Sequence, residues 1–247
     1  MIQLLQNNIP LSRIEFLDQL SIAAANEYSK VGLPAKPSLF LEISGNQADI
    51  GPVVRTTREI IEENGGSGFQ HSSKTEERSK LWKARHELYY ACKSTRPGHR
   101  TIITDVCVPI SRLTDIILQM QTYFEQYNIN GECLKRFINL ANPVFPCFFS
   151  GFSFGHVGDG NFHSVITYDE ADPSEVDRVF TVTQKIAEDA IRLGGTCTGE
   201  HGVGRGKMEL LRNQFDDTSI EVMHRIKKAL DPKNLINAGK VIPPLRR

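Results

Sequence analysis

The chain has 247 residues, 40% hydrophobic and 23% charged, a balance ordinary for a globular protein with a sizeable core. Lys plus Arg and Asp plus Glu number 29 each, with no long run of one sign, so no nucleic-acid or membrane-surface footprint is indicated. The five cysteines, Cys92, Cys107, Cys133, Cys147 and Cys197, are odd in number and form no CxxC pair. That argues against a disulfide framework or a thiolate zinc site and for a reducing compartment. No apolar run approaches a membrane span, and MIQLLQNNIPLSRIEF has the features of neither a signal peptide nor a transit peptide.

In chain order, the loose spacing of Ile14, Leu17, Ile22 and Ala25 predicts a helix between Ser12 and Val31, with Asp18 or Ser21 as cap and Gly32 and Pro34 beyond its end. SLFLEISG, from Ser38 to Gly45, alternates as a strand does. Asp49–Asn64 reads as a helix with Pro52 near its start and Gly65-Gly66 after it. Lys74–Ala91 reads as a charged helix that gathers Leu81, Trp82, Leu88 and Tyr89 on one side, with Arg85 among them. Composition alone favours snorkelling for that arginine over carboxylate binding. Thr101–Val108 reads as a strand, and Leu113, Ile116, Ile117, Met120 and Phe124 keep helical spacing after it.

Asn128–Phe154 fits neither period and carries two prolines in an aromatic cluster. It reads as an anomalous insertion. Pro146, Cys147, Phe148, Phe149 and Ser150 have codons that can be pyrimidine-rich, as before a splice acceptor, which suggests a translated intron; transcript sequencing across the segment tests this. Beyond it, Asn161–Asp169 reads as a strand with His163, Val165 and Thr167 on one face. Asp172-Pro173 opens a long amphipathic helix that Gly194-Gly195 closes, and Asp217 is placed to cap SIEVMHRIKKAL before an irregular tail.

Chemistry concentrates in two glycine-rich stretches, GHVGDGNFH (Gly155–His163) and TGEHGVGRGK (Thr198–Lys207). Imidazoles and a carboxylate are usual ligands of a divalent metal, and glycines allow close backbone approach. A loop running into a strand can aim His156 and His163 at one centre, with Glu200 the natural third ligand. Glu200 and His201 are neighbours that can point apart, one to a metal and one to a substrate as general base. Ligand chemistry alone also permits a non-haem iron or hydrolytic metal site. The second stretch fails as a nucleotide loop: it is GxGxG, and Met208 follows Lys207 where a Walker A loop has Ser or Thr. Its N–H groups could still hold an anion. His71, His86, His99 and His224 read as solvated, Cys197 as a small packed residue, and Arg205 and Lys207 as solvated or structural.

Together FLDQLSIAAANEYS, SLFLEISG, LWKARHELYYA, TDVCVPISRL, GHVGDGNFH, GEHGVGRGK and DPKNLINAGK resemble, in order, the C-terminal half of FAD-dependent 2-hydroxyacid dehydrogenases, closest to the D-lactate dehydrogenase (cytochrome) type. The resemblance implies an α+β fold: an antiparallel-sheet cap domain with flanking helices and a C-terminal helical segment, here residues 1–247. It implies FAD and a divalent metal, zinc or manganese, as cofactors, with His156, His163 and Glu200 as metal ligands. His201 would be the base that takes the substrate hydroxyl proton, and Arg85 the partner of the substrate carboxylate. Asn237 and Gly202 would lie near the flavin. The implied substrate is D-lactate or another short aliphatic 2-hydroxyacid, the implied acceptor cytochrome c or another electron carrier, and the location mitochondrial in a eukaryote. Relatives that oxidise 2-hydroxyglutarate hold its distal carboxylate with a lysine and an asparagine where this chain has Ile103 and Val165, and an apolar pocket there disfavours a second carboxylate. A 2-hydroxyglutarate- or glycolate-type dehydrogenase remains the alternative within the family. Because Met1 falls inside the expected cap domain, the family's N-terminal FAD-binding domain is expected to be missing, which leaves an inactive fragment as a further alternative.

Overall fold

A computed structural model describes residues 1–46, 50–129 and 151–246. Its elements are α1 (Ile2–Gln6), β1 (Leu11–Leu17), α2 (Gln19–Ser29), β2 (Ser38–Ile43), α3 (Ile50–Glu63), α4 (Thr75–His86), α5 (Leu88–Ser94), β3 (Arg100–Ile103), β4 (Val106–Cys107), α6 (Leu113–Gln126), β5 (Gly151–Gly155), β6 (Asn161–Tyr168), α7 (Pro173–Arg192), α8 (Met208–Gln214) and α9 (Asp217–Leu230). The strands form one open sheet in the order β2-β1-β5-β6-β3, with β4 also on β6, and every pairing is antiparallel. The expected α+β class, antiparallel with flanking helices, is what the chain adopts.

Both faces of the sheet are covered. On one, Leu17, Phe40, Phe152, Phe154 and Val165 pack with Leu20 and Ile22 of α2 and Leu88, Ala91 and Cys92 of α5. Leu81, Trp82 and Tyr89 complete this side, as the spacing within Lys74–Ala91 predicts. On the other face, Ile14, Phe162 and Ile166 meet Ile116, Met120 and Phe124 of α6 and Val179, Val182 and Ile186 of α7. A smaller cluster of Leu4, Ile9 and Ile60 joins α1 to α3.

Several expectations are corrected. The first half of the expected helix between Ser12 and Val31 is strand β1, paired to β2 and β5. Its residues Ile14, Glu15 and Leu17 are all buried, so the alternation of a half-exposed strand is absent. Helix α2 begins only after Asp18, whose carboxylate accepts the Ser21 N–H at 2.7 Å and reaches across to the Ser153 N–H of β5 at 2.8 Å. The charged helix breaks at Glu87 into α4 and α5, and the strand at Thr101–Val108 breaks at Thr104-Asp105. Asp216, not Asp217, caps α9. His224 is tied to the tail by a 2.8 Å contact with the Pro243 carbonyl. Within Asn128–Phe154, Ile129 is buried in the core and Gly151–Phe154 belong to β5, between β1 and β6. The remainder, 130–150, with the suggested intron boundary, lies outside the described residues.

Candidate metal and substrate site

The β5–β6 corner supplies both imidazoles. His156 follows the last residue of β5, a short helical turn over Val157–Asp159 reverses the chain, and His163 is the third residue of β6. The Glu200–His201 loop arrives from the end of α7. Glu200 Oε1 lies 3.0 Å from His163 Nε2, and Oε2 lies 3.7 Å from His156 Nε2. The three donor atoms fall within 4.8 Å of one another. Donors about 2.0–2.2 Å from a divalent ion sit roughly 3–3.5 Å apart, close to the two histidine–Glu200 separations here. His201 stacks flat on His163, ring centroids 4.8 Å apart and planes 2° apart, with its Nε2 3.5 Å from Glu200 Oε1.

Behind these side chains stand two buried carboxylates not singled out from the sequence. Glu15 on β1 places Oε1 2.6 Å from His156 Nδ1, while Oε2 accepts from Arg85 Nε at 2.9 Å and pairs with Nη2 at 2.8 Å. Burial works against its charge, but the His156 hydrogen bond and the Arg85 charge hold its pKa below the ordinary value. Reciprocally, the bond to Glu15 raises the His156 pKa. Both donors of the Nε–Nη2 edge of Arg85 are thus engaged, and the guanidinium carbon lies 4.9 Å from the Phe154 ring centre.

Asp105, fully buried, sits at the break between β3 and β4. Its Oδ2 accepts from Thr198 Oγ1 at 2.8 Å, Glu200 N at 2.9 Å and His201 N at 2.7 Å. Its Oδ1 accepts from Asn161 Nδ2 at 2.9 Å and lies 3.7 Å from His163 Nδ1. Desolvation opposes its charge, yet these donors hold its carboxyl well below the usual range. The glycine-rich loop does hold an anion through its N–H groups: a carboxylate of its own chain. Gly199 is required there, because a Cβ would lie 2.0 Å from Asn161 Nδ2 and 3.0 Å from Asp105 Oδ1. Lys207, which closes the loop, donates to the backbone carbonyls of Asp105 and Cys197 at 2.9 and 2.7 Å, a structural use that burial accompanies with a lowered pKa.

The donor set passes a chemical test for a metal. His163 is buried, which lowers its pKa and favours the neutral imidazole that ligates metals, and its Nδ1 has no hydrogen-bond partner among the described residues. Each outer imidazole nitrogen faces a carboxylate, Glu15 or Asp105, as the supporting partners of metal-bound histidines do. Asp105, His163 and His201 also converge, but Asp105 is already satisfied by loop donors, so His156, His163 and Glu200 form the better set.

Of the other expected site residues, Gly202 lies in the same loop with its N–H donated to Thr198 Oγ1 at 2.8 Å. Asn237 is exposed in the tail, its side-chain oxygen accepting from Lys240 at 3.2 Å; the tail meets the loop where Val241 N donates to Gly204 O at 2.7 Å. Ile103 and Val165 are direct cross-strand partners on the sheet face that carries His163, but Val165 is fully buried while Ile103 is 36% exposed. Glu15 was hidden by its placement in an expected helix; Asp105 left a signal, a lone carboxylate inside an apolar strand.

The chain belongs to the family described as FAD linked oxidases, C-terminal domain, which it matches over residues 1–241. It is 44% identical over 241 residues to the probable mitochondrial D-lactate dehydrogenase of Danio rerio, covering 98% of this chain and 44% of that protein. The mitochondrial D-lactate dehydrogenase (cytochrome) of Arabidopsis thaliana is 33% identical, with 97% and 39% covered, and the glycolate oxidase subunit GlcD of Bacillus subtilis 32%, with 92% and 44% covered. The chain therefore spans less than half the length of these curated relatives. Among solved structures, the 4-ethylphenol oxidase of Gulosibacter chungangensis shares the fold at a TM-score of 0.60 and 14% identity, over 94% of this chain and 48% of that one.

Proposed function

We propose that residues 1–247 are the substrate- and metal-binding domain of a flavoprotein that oxidises D-lactate, or a similar short aliphatic D-2-hydroxyacid, to the 2-oxoacid. The observation that carries this is the meeting of His156, His163 and Glu200 beneath a stacked His201 in a member of this flavin-linked family. His156, His163 and Glu200 would hold zinc or manganese. A divalent ion held there would lower the pKa of the substrate hydroxyl and orient it. FAD, when bound, would supply the acceptor for the hydride that leaves the substrate α-carbon.

This chain's own residues supply the proton chemistry and the positioning. His201, in reach of Glu200 and half open to solvent, removes the hydroxyl proton. Arg85, with its Nη1 not engaged by Glu15, meets the substrate carboxylate. Gly202 and Asn237 are the residues of this chain that would border FAD. The apolar pair Ile103 and Val165 supports a substrate without a distal carboxylate, because such a group would lie unpaired there. The names of the relatives support a mitochondrial location and a cytochrome as acceptor. The likeness to a glycolate oxidase subunit favours glycolate as a second substrate.

The test is turnover of the flavin-loaded protein on D-lactate, glycolate and D-2-hydroxyglutarate. His201→Ala should lower kcat on D-lactate by about 10²–10⁴. Unchanged turnover removes His201 as the base, and a preference for D-2-hydroxyglutarate removes the aliphatic assignment.

A further inference from the structure

Glu15 links His156 to Arg85. It is 5% exposed, lies on β1, and its two oxygens meet three donors: His156 Nδ1 at 2.6 Å, and Arg85 Nε and Nη2 at 2.9 and 2.8 Å. An ionised carboxylate only accepts, so a neutral His156 beside it must carry its proton on Nδ1. The lone pair is then on Nε2, the atom 3.7 Å from Glu200 Oε2. A metal ligand needs that lone pair in that place.

We infer that Glu15 is a positioning residue that fixes the Nδ1–H tautomer of His156 and aims Nε2 at the metal position, with Arg85 as the lock that keeps the carboxylate oriented. The inference rests on the metal reading of His156, His163 and Glu200. Arg85 has no accepting atom. Its Nε–Nη2 edge therefore demands oxygen at the Oε2 position whatever occupies residue 15.

This gives a discriminating substitution. Glu15→Gln preserves shape, but the carboxamide oxygen is claimed by Arg85, so its NH₂ faces His156 Nδ1. A donor there forces Nδ1 to accept, moves the proton to Nε2 and removes the lone pair from the metal position. Arg85→Met removes the lock. In Glu15→Gln/Arg85→Met the carboxamide is free to turn its oxygen to Nδ1–H, and the ligating tautomer returns.

The experiment measures zinc and manganese affinity of the whole chain by chelator competition, and the His156 tautomer of the metal-free chain by long-range ¹H–¹⁵N NMR at alkaline pH. Glu15→Gln should bind each metal about 10–100-fold more weakly than the parent and show Nε2–H. The double variant should bind within about threefold of Arg85→Met alone and show Nδ1–H, a recovery that a purely structural role for Glu15 would not produce. Parent-like affinity in Glu15→Gln, or a double variant as impaired as Glu15→Gln, overturns the inference. If the parent binds neither metal, the metal reading fails, and the tautomer spectra alone then decide for or against Glu15.

Discussion

Asp105 shows how one buried carboxylate can orient a whole loop. Three donors of the 198–201 segment and the amide of Asn161 converge on its two oxygens, so the directions of Glu200 and His201 are set by a residue nearly a hundred positions earlier. In Asp105→Asn one oxygen becomes a donor and must face either the loop N–H groups or the Asn161 amide. Hydrogen bonds to a charged acceptor contribute about 1.5–3 kcal/mol each, and the variant should lose at least roughly that much stability in urea unfolding. Ile103 and Val165 separate by the same logic of burial. Ile103→Lys puts an ammonium at a partly open edge position and should fold normally while shifting preference toward dicarboxylic 2-hydroxyacids, read as the ratio of kcat/KM for D-2-hydroxyglutarate to that for D-lactate. Val165→Asn, fully buried, should cost roughly 1–3 kcal/mol for its unpaired amide, seen as a lower urea midpoint.

At the scale of elements, the β5–β6 corner and the end of α9 each depend on a local device. Gly155 lies so close to β6 that a Cβ would stand 2.4 Å from Phe162 Cα and 2.8 Å from Asn161 O. Both obstacles are backbone, so Gly155→Ala should push the strands apart, displace His156, and cost about 1–3 kcal/mol in urea unfolding. After α9, Asp231 accepts from Lys227 and from the N–H groups of Leu235 and Ile236, both at 2.9 Å, and these donors lower its pKa to about 2. A depressed carboxylate contributes stability that is present above its unfolded value, near 3.9, and is lost as pH falls through the folded one. Hydrogen exchange at Leu235 and Ile236, compared between the parent and Asp231→Asn, should therefore differ at pH 5 and converge toward pH 2. The same elements explain what could be read in advance. α6 and α7 present one apolar face to the sheet and are legible from spacing, while α3, which packs on α1, is legible from Pro52 near its start and Gly65-Gly66 after its end. β1 was not: Ile14, Glu15 and Leu17 are buried between two layers, so period-two alternation disappears and Asp18 advertises only the helix that follows. The loss of β1 also hid Glu15. The motif residues His156, His163, Glu200 and His201 are legible because metal chemistry uses few residue types, whereas Glu15 lies in a segment that reads as helix and Asp105 in one that reads as a continuous core strand.

For the whole molecule, the proposed ligands join parts that the sheet alone does not connect. His156 and His163 sit at a strand corner, whereas Glu200 is on a loop held by Asp105 and, through Gly204, by the tail. A metal bound only by the folded arrangement adds RT ln(1 + [metal]/Kd), about 2.7 kcal/mol at a hundredfold excess over Kd. In a domain of this size, where 1 kcal/mol moves Tm by about 2–4 °C, chelation should lower the melting temperature by roughly 5–11 °C, and zinc or manganese should restore it. Glu200→Ala makes the attribution specific. Its side chain is half exposed and its backbone N–H still serves Asp105, so the metal-free variant should melt close to the metal-free parent. It should gain little on adding either ion. Scanning calorimetry of both proteins with and without chelator measures this. A metal-dependent rise in Glu200→Ala equal to that of the parent would place the ion elsewhere in the chain.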